Sequence, residues 1–304
     1  MNTPIGISSG FDARAASSIA VCSVIWGTTW YAITLQLGTV DPTASVTYRF
    51  ALASAVLFLF CWWRGEPILL SGRQHLAVFG QGVLTFSIQY SMVYEAEQHI
   101  ASAVVAVIFA GLAFVNLALF RVLLGQKANW RAWVGAGLGV VGVAAMFLAE
   151  LRRSGGGDEV VLGLVLALVA MVIAAAGNLA AWIAQKEGAP VLSSVAWAMA
   201  YGAGLVFLFG LVTGVGFTFE MTPAYVGSLL YLAVFGSVVA FALYFMLARA
   251  KGYALASYIS ALTPPIALLM SVVFENARFG WAAALGIALV LMGQVLLIRA
   301  PKGA

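Results

Sequence analysis

Ten apolar stretches, each about 20 residues long, divide nearly the whole chain between them. They fall at about 15–37, 42–63, 76–95, 100–122, 130–149, 160–184, 190–213, 223–247, 253–274 and 280–299. At 1.5 Å per residue each is long enough to cross the ~30 Å hydrocarbon core of a bilayer as a helix. A chain of 304 residues that is 63% hydrophobic and only 9% charged is too poor in polar surface for a soluble fold of this size, since soluble domains carry about 25% charged residues. The expected class is therefore an all-α polytopic membrane protein with ten transmembrane helices.

Charge fixes a direction. If the loops are assigned alternately to two sides, one side collects Arg14, Arg64 with Arg73, Arg121 with Lys127 and Arg131, Lys186, Arg249 with Lys251, and Arg299 with Lys302. The opposite side has only Arg152, Arg153 and Arg278, but holds Asp41, Glu95, Glu97, Glu150, Asp158, Glu159, Glu220 and Glu275. The positive-inside rule makes the basic side cytoplasmic and places both termini there. Trp62, Trp63, Trp130, Trp133 and Trp182 lie near the same face, where interfacial anchors belong. Because this sorting explains the formal charge of +4, nucleic acid is not an expected partner. The expected partner on these grounds is the lipid bilayer.

The only linker-like run is Arg152-Arg153-Ser154-Gly155-Gly156-Gly157-Asp158-Glu159. It gives a cytoplasmic tail at 1–14, a five-helix unit at 15–149, a periplasmic linker at 150–159, a second five-helix unit at 160–300 and a tail at 301–304. The two units share landmarks. Gly135 and Gly142 match Gly286 and Gly293; Ala101-Ser102 matches Ala256-Ser257; Asp41-Pro42 matches Ala189-Pro190; Gly27 matches Gly177. The offsets run from about 148 to 155, as for a duplicated unit with small insertions. Since five is odd, the second copy enters the membrane upside down, and inverted repeats place a substrate site between copies near the midplane.

With these landmarks in place, Trp26-Gly27-Thr28-Thr29-Trp30-Tyr31 and Tyr48-Arg49-Phe50 resemble the opening of an EamA-type member of the drug/metabolite transporter superfamily. So do the small residues at 101–110, Leu124-Gly125-Gln126-Lys127, the Gly-rich fifth segment, and Thr263-Pro264-Pro265 followed by Glu275. The likeness covers about 17–300. It implies a small-molecule substrate, with export or exchange of small metabolites, often amino acids, across the bacterial inner (plasma) membrane; the aromatic amino acid exporters of the YddG type belong to the same superfamily. Two positions depart from the pattern: Gln126 stands where Glu is frequent, and the first half has no counterpart of Pro264 or Pro265.

The polar residues within the spans supply the candidate substrate site. Arg49 is the one charge well inside a span; there it must face protein or water. It either attracts a substrate carboxylate or serves the fold, capping carbonyls or pairing with a helix-end acid such as Glu95. Pro264 and Pro265 deprive the carbonyls of Ser260 and Ala261 of helical partners, which predicts a hinge whose polar groups line a cavity. Ser257, Tyr258, Ser260 and Thr263 accompany it. Trp26 with Trp30, and Tyr90 with Tyr94, share helix faces by their four-residue spacing. Gln89, Asn116, Asn178 and Gln294 are amides inside spans, where amides either bridge helices or meet a ligand. Gly135-x-x-x-Gly139 and Ala198-x-x-x-Gly202 are close-packing motifs, within the chain or between protomers. Cys22 and Cys61 read as small buried hydrophobes.

No Asp or Glu falls at a midplane position, so export of lipophilic cations on an embedded carboxylate is not expected. Any proton coupling would rest on Glu95, Glu275 or His99, the last read as a loop residue. The chain carries no phosphate-binding loop, zinc-protease motif or nucleophile elbow, and no cofactor, metal site or enzymatic activity is expected. The function predicted is secondary transport of small organic metabolites by alternating access. A passive channel and a lipid-modifying membrane enzyme are the alternatives.

Overall fold

The computed structural model describes residues 13–125, 129–153, 155, 157–252, 256 and 258–299. Ten helical segments follow one another, numbered here α1 (Ala13–Thr34), α2 (Pro42–Arg64), α3 (Gly72–His99), α4 (Ser102–Leu124), α5 (Trp130–Arg153), α6 (Asp158–Lys186), α7 (Val191–Thr213), α8 (Pro223–Lys251), α9 (Tyr258–Phe274) and α10 (Trp281–Arg299). Eight of them, α1–α8, are long and apolar enough to cross a membrane by length and composition. α9 and α10 contain shorter apolar runs, Leu262–Phe274 and Trp281–Gly293.

Local chemistry sets the ends. Asp41 caps α2 by accepting a hydrogen bond from the Thr43 amide at 2.7 Å, with Pro42 in the first turn. Gly65, at φ 67°, closes the same helix in the left-handed conformation. Ser71 and Gln74 form a capping box at the start of α3, which is why that helix begins at Gly72 rather than at 76. α3 also runs on past 95 to His99, so Glu97 and His99 are helical, where the sequence reading placed them beyond the helix. α1, in contrast, stops at Thr34 and not at 37.

Inside α3 and α8 the backbone widens into eight-residue π-helical stretches, Gly82–Gln89 and Leu232–Val239, whose starts lie 150 residues apart. π turns often accompany functional sites. Here the first lies where α3 meets α7 closely. A Cβ on Gly82 would come within 2.7 Å of the Ala198 carbonyl, and one on Gly202 within 2.5 Å of the Phe86 Cβ.

The packing has an internal correspondence. α1 packs on α8 and α9, and α6 packs on α3 and α4; α3 packs on α7, and α8 on α2; α2–α7, α4–α9 and α5–α10 are direct pairs. Exchanging α1–α5 for α6–α10 leaves this set of pairs unchanged. The α5–α10 pair carries it to single residues. A Cβ on Gly142 would meet the Gly286 carbonyl at 2.6 Å, and a Cβ on Gly293 would meet the Gly135 carbonyl at 2.5 Å. These are the four glycines that stand in register in the sequence. Outward faces are apolar and exposed, as at Val24, Leu59, Val140, Leu208 and Leu269, a surface suited to lipid. Trp62 and Trp63 are each 72% exposed beside Arg64.

Candidate functional site

A cavity lies among six helices, built from short polar and aromatic faces of each. α1 contributes Trp26, Thr29, Trp30 and Ile33, one face by 3.6-residue periodicity. α3 contributes Thr85, Gln89, Tyr90 and Val93 across the end of its π stretch. Phe109 of α4, Asn178 of α6, Phe241 and Tyr244 of α8, and Ser260 and Thr263 of α9 complete the wall, with small side chains at Ala106, Ala110 and Ala174 leaving the space.

Several wall groups are already committed. The Trp26 indole N–H donates to the Gly236 carbonyl in the π stretch of α8 at 3.1 Å, and its ring packs against Phe241 and Tyr244. Asn178 donates to the Asn116 side-chain oxygen at 3.4 Å and shares a hydrogen bond with Tyr244. Thr263 donates to the Ile259 carbonyl at 2.8 Å. Two wall groups are not committed: the Trp30 Nε1 and Thr85 Oγ1 atoms are buried without a hydrogen-bond partner among the described residues. A buried polar group left unmade costs roughly 1–3 kcal/mol, so both favour a ligand with polar atoms. Gly177 is what leaves room for Thr85, since a Cβ there would fall 2.1 Å from its hydroxyl.

Of the residues expected from sequence, Trp26, Trp30, Gln89, Tyr90, Asn178, Ser260 and Thr263 meet on this wall. Asn116 stands one layer behind Asn178. Arg49 stands behind Tyr90, with its guanidinium 4.6 Å from the centre of that ring. It is fully buried, its Nε donates to Ser237 Oγ at 3.0 Å and its Nη1 to the Tyr94 hydroxyl at 3.4 Å, and the Tyr94 O–H in turn donates to Gln36 Oε1 at 2.7 Å. The expected Glu95 partner is incorrect: Glu95 turns outward to Gln98 and His99. His99 is likewise no loop residue; it closes α3 between Glu95 and Glu159. Pro264 and Pro265 lie inside α9, adjoining Thr263 but off the cavity wall. Ser257 and the side chains of Tyr258 and Gln294 lie outside the described residues. Cys22 and Cys61 are buried free thiols.

Sequence reading passed over Thr29, Thr85 and Tyr244, each spaced three or four residues from a residue it did select or from a partner on the wall. It also passed over Glu97, which it counted as a loop-end acid. Glu97 continues the face of Tyr90 and Tyr94 along α3 and is buried.

A helical protein with eight helices among the described residues long and apolar enough to cross a membrane, and a polar and aromatic cavity between them, has the build of a polytopic membrane transporter. The model of the EamA-like transporter family matches residues 14–148 and 161–299. The chain belongs to that family and is a multi-pass membrane transporter of the drug/metabolite superfamily. It is 27% identical over 288 residues to the uncharacterized inner membrane transporter YedA of Escherichia coli K12, covering 91% of this chain and 90% of that one. It is 24% identical over 279 residues to protein PecM of Dickeya dadantii, covering 90% and 88%. To protein PagO of Salmonella typhimurium it is 27% identical over 132 residues, a match spanning 43% of either chain. A solved crystal structure with 19% identity superposes with a TM-score of 0.70 over 93% of this chain and 95% of that one, a likeness of fold.

Proposed function

We propose that the chain is a secondary transporter that exports small organic metabolites, amino acids or related solutes, across the inner membrane by alternating access. In this reading α1–α10 span the bilayer as two inverted five-helix repeats with both termini in the cytoplasm. The cavity between them opens to each side in turn as the halves rock. The observation that carries it is the cavity itself, walled by α1, α3 and α4 from one half and α6, α8 and α9 from the other. Its Trp30 N–H and Thr85 hydroxyl are unpartnered. Indole and phenol faces beside amides and hydroxyls suit a solute with polar ends and an apolar body.

The interchangeable helix pairs, the paired π stretches and the reciprocal glycine contacts of α5 and α10 support the repeat. So do the two stretches matched by the family model. In the inverted-repeat reading, Pro264 and Pro265 let α9 flex beside Ser260 and Thr263. Arg49 acts from behind the wall by fixing Tyr90, and Asn116 by fixing Asn178.

The test is counterflow in proteoliposomes. Vesicles containing the purified protein are loaded with one unlabelled amino acid at a time, and entry of the same labelled amino acid is followed. Trans-stimulated, saturable entry of at least one amino acid is expected. Flux that rises linearly with concentration and ignores the internal solute would identify a pore instead.

A further inference from the structure

A second pocket opens at the end of the bundle where α1, α3, α5 and α9 finish and α4 and α10 begin. Its wall includes Thr34, Glu97, Ser102, Glu150, Arg153 and Glu275. Three carboxylates face two guanidinium groups here, the second being that of Arg278. Most of this charge is engaged locally. Glu150 and Arg153 form an ion pair one turn apart on α5, and Ser271 donates to Glu275 on α9.

Glu97 is different. It is 7% exposed, and both of its carboxylate oxygens are without a hydrogen-bond partner among the described residues. Ser102, 1% exposed at the start of α4, also has an unpartnered hydroxyl. A buried carboxylate is costly unless it is paired and hydrogen-bonded. Two carboxylate oxygens that accept, and one hydroxyl that can accept or donate, therefore stand without partners on one pocket wall. A primary ammonium group supplies three N–H donors and the opposite charge in a compact shape; a guanidinium is larger and planar, and a quaternary ammonium has no donor at all.

The pocket also adjoins the central cavity along two helices. Along α3, Thr85, Gln89 and Val93 line the central cavity and Glu97 lines this pocket one turn further on. Along α1, Ile33 lines the first and Thr34 the second. On the transport reading, a solute leaving the cavity toward this end would pass Glu97.

We infer that the pocket around Glu97 and Ser102 binds the protonated primary amine of a passing solute. The inference rests on the transport reading for the solute's route. It adds that the passenger carries a protonated primary amine, met first or last at this mouth.

The probe is methylammonium chloride, with sodium chloride and tetramethylammonium chloride at equal ionic strength as comparisons. The readout is the thermal unfolding midpoint of the full-length protein purified in detergent, since a ligand that binds the folded state raises it. Methylammonium should raise the midpoint saturably and the other two salts should not. Glu97→Gln should abolish the rise. Ser102→Ala, which keeps the charge, should weaken the apparent affinity roughly tenfold, the equivalent of one hydrogen bond of about 1.4 kcal/mol. Should Glu97→Gln fail to fold, Ser102→Ala alone decides. An undiminished response in Ser102→Ala or Glu97→Gln, an equal response to tetramethylammonium, or none to methylammonium would overturn the proposal. Counterflow of amino acids without any methylammonium response would refute this site and leave the transport reading standing; the opposite pattern would refute transport alone.

Discussion

Trp30 carries two properties that can be separated by one substitution. Its ring packs at 5.2 Å from Phe109, while its N–H lies buried without a partner among the described residues. Trp30→Phe keeps an aromatic ring and deletes the donor. The folded state loses no hydrogen bond, so the thermal midpoint should hold or rise slightly. If the N–H serves the solute, the KM for counterflow should rise about tenfold, the equivalent of ~1.4 kcal/mol. A fall in stability with unchanged KM would assign Trp30 to packing. At this scale the sequence was informative about residue type and less so about depth. Trp26, Trp30, Gln89 and Asn178 were visible because polar and indole groups inside apolar runs are rare and must face protein or water. Arg49 was visible for the same reason, but its place behind Tyr90 was not. That place depends on Ser237 and Tyr94, brought from α8 and α3 by tertiary packing. Glu97 was missed because charge counting assigns acids to loop ends, whereas α3 continues past it and its i−3 and i−7 neighbours are buried tyrosines.

α5 and α10 meet through backbone. Gly142 faces the Gly286 carbonyl, while Gly137, five residues earlier on the same helix, faces open space. Substituting each by alanine therefore separates contact from helix propensity. Gly142→Ala should lower the thermal midpoint, with an overpacking cost of about 1–3 kcal/mol. Gly137→Ala should be neutral or stabilising by up to about 1 kcal/mol, the propensity difference. Equal effects at the two sites would contradict the close α5–α10 approach. The small-residue spacing of these helices was legible in the sequence, because repeated glycines at matching offsets have few other uses in apolar helices. The partner was not: Gly135-x-x-x-Gly139 alone left open whether it joined helices of one chain or two protomers. The π stretches were also hidden, since Gly82–Gln89 and Leu232–Val239 have no distinguishing composition. Start signals such as Ser71 with Gln74 were present in the sequence, and weighing them would have placed the beginning of α3 correctly.

Across the whole molecule, the arrangement of helices makes one cavity the meeting place of both halves. Its wall draws on α1, α3 and α4 and equally on α6, α8 and α9, the corresponding helices under exchange of halves, with α3 and α8 each carrying a π stretch. On the proposed transport reading, a relative tilt of the halves presents the same residues to either side, without a new site being built. Hydropathy made the class legible, an all-helical membrane protein, because each span must be apolar for its own length. Which faces turn inward depends on packing among all ten segments, and apolar helices with weak amphipathicity leave that face unmarked.

The most direct test places a single reporter on the cavity wall. In a Cys22→Ser, Cys61→Ser background, Thr263→Cys introduces one thiol between α9 and the cavity. Labelling by a small membrane-impermeant methanethiosulfonate reagent is then measured in right-side-out and in inverted membrane vesicles. An alternating cavity predicts modification from both sides, slowed from both by a solute that counterflows. Modification from one side only, or modification that the solute leaves untouched, would contradict it.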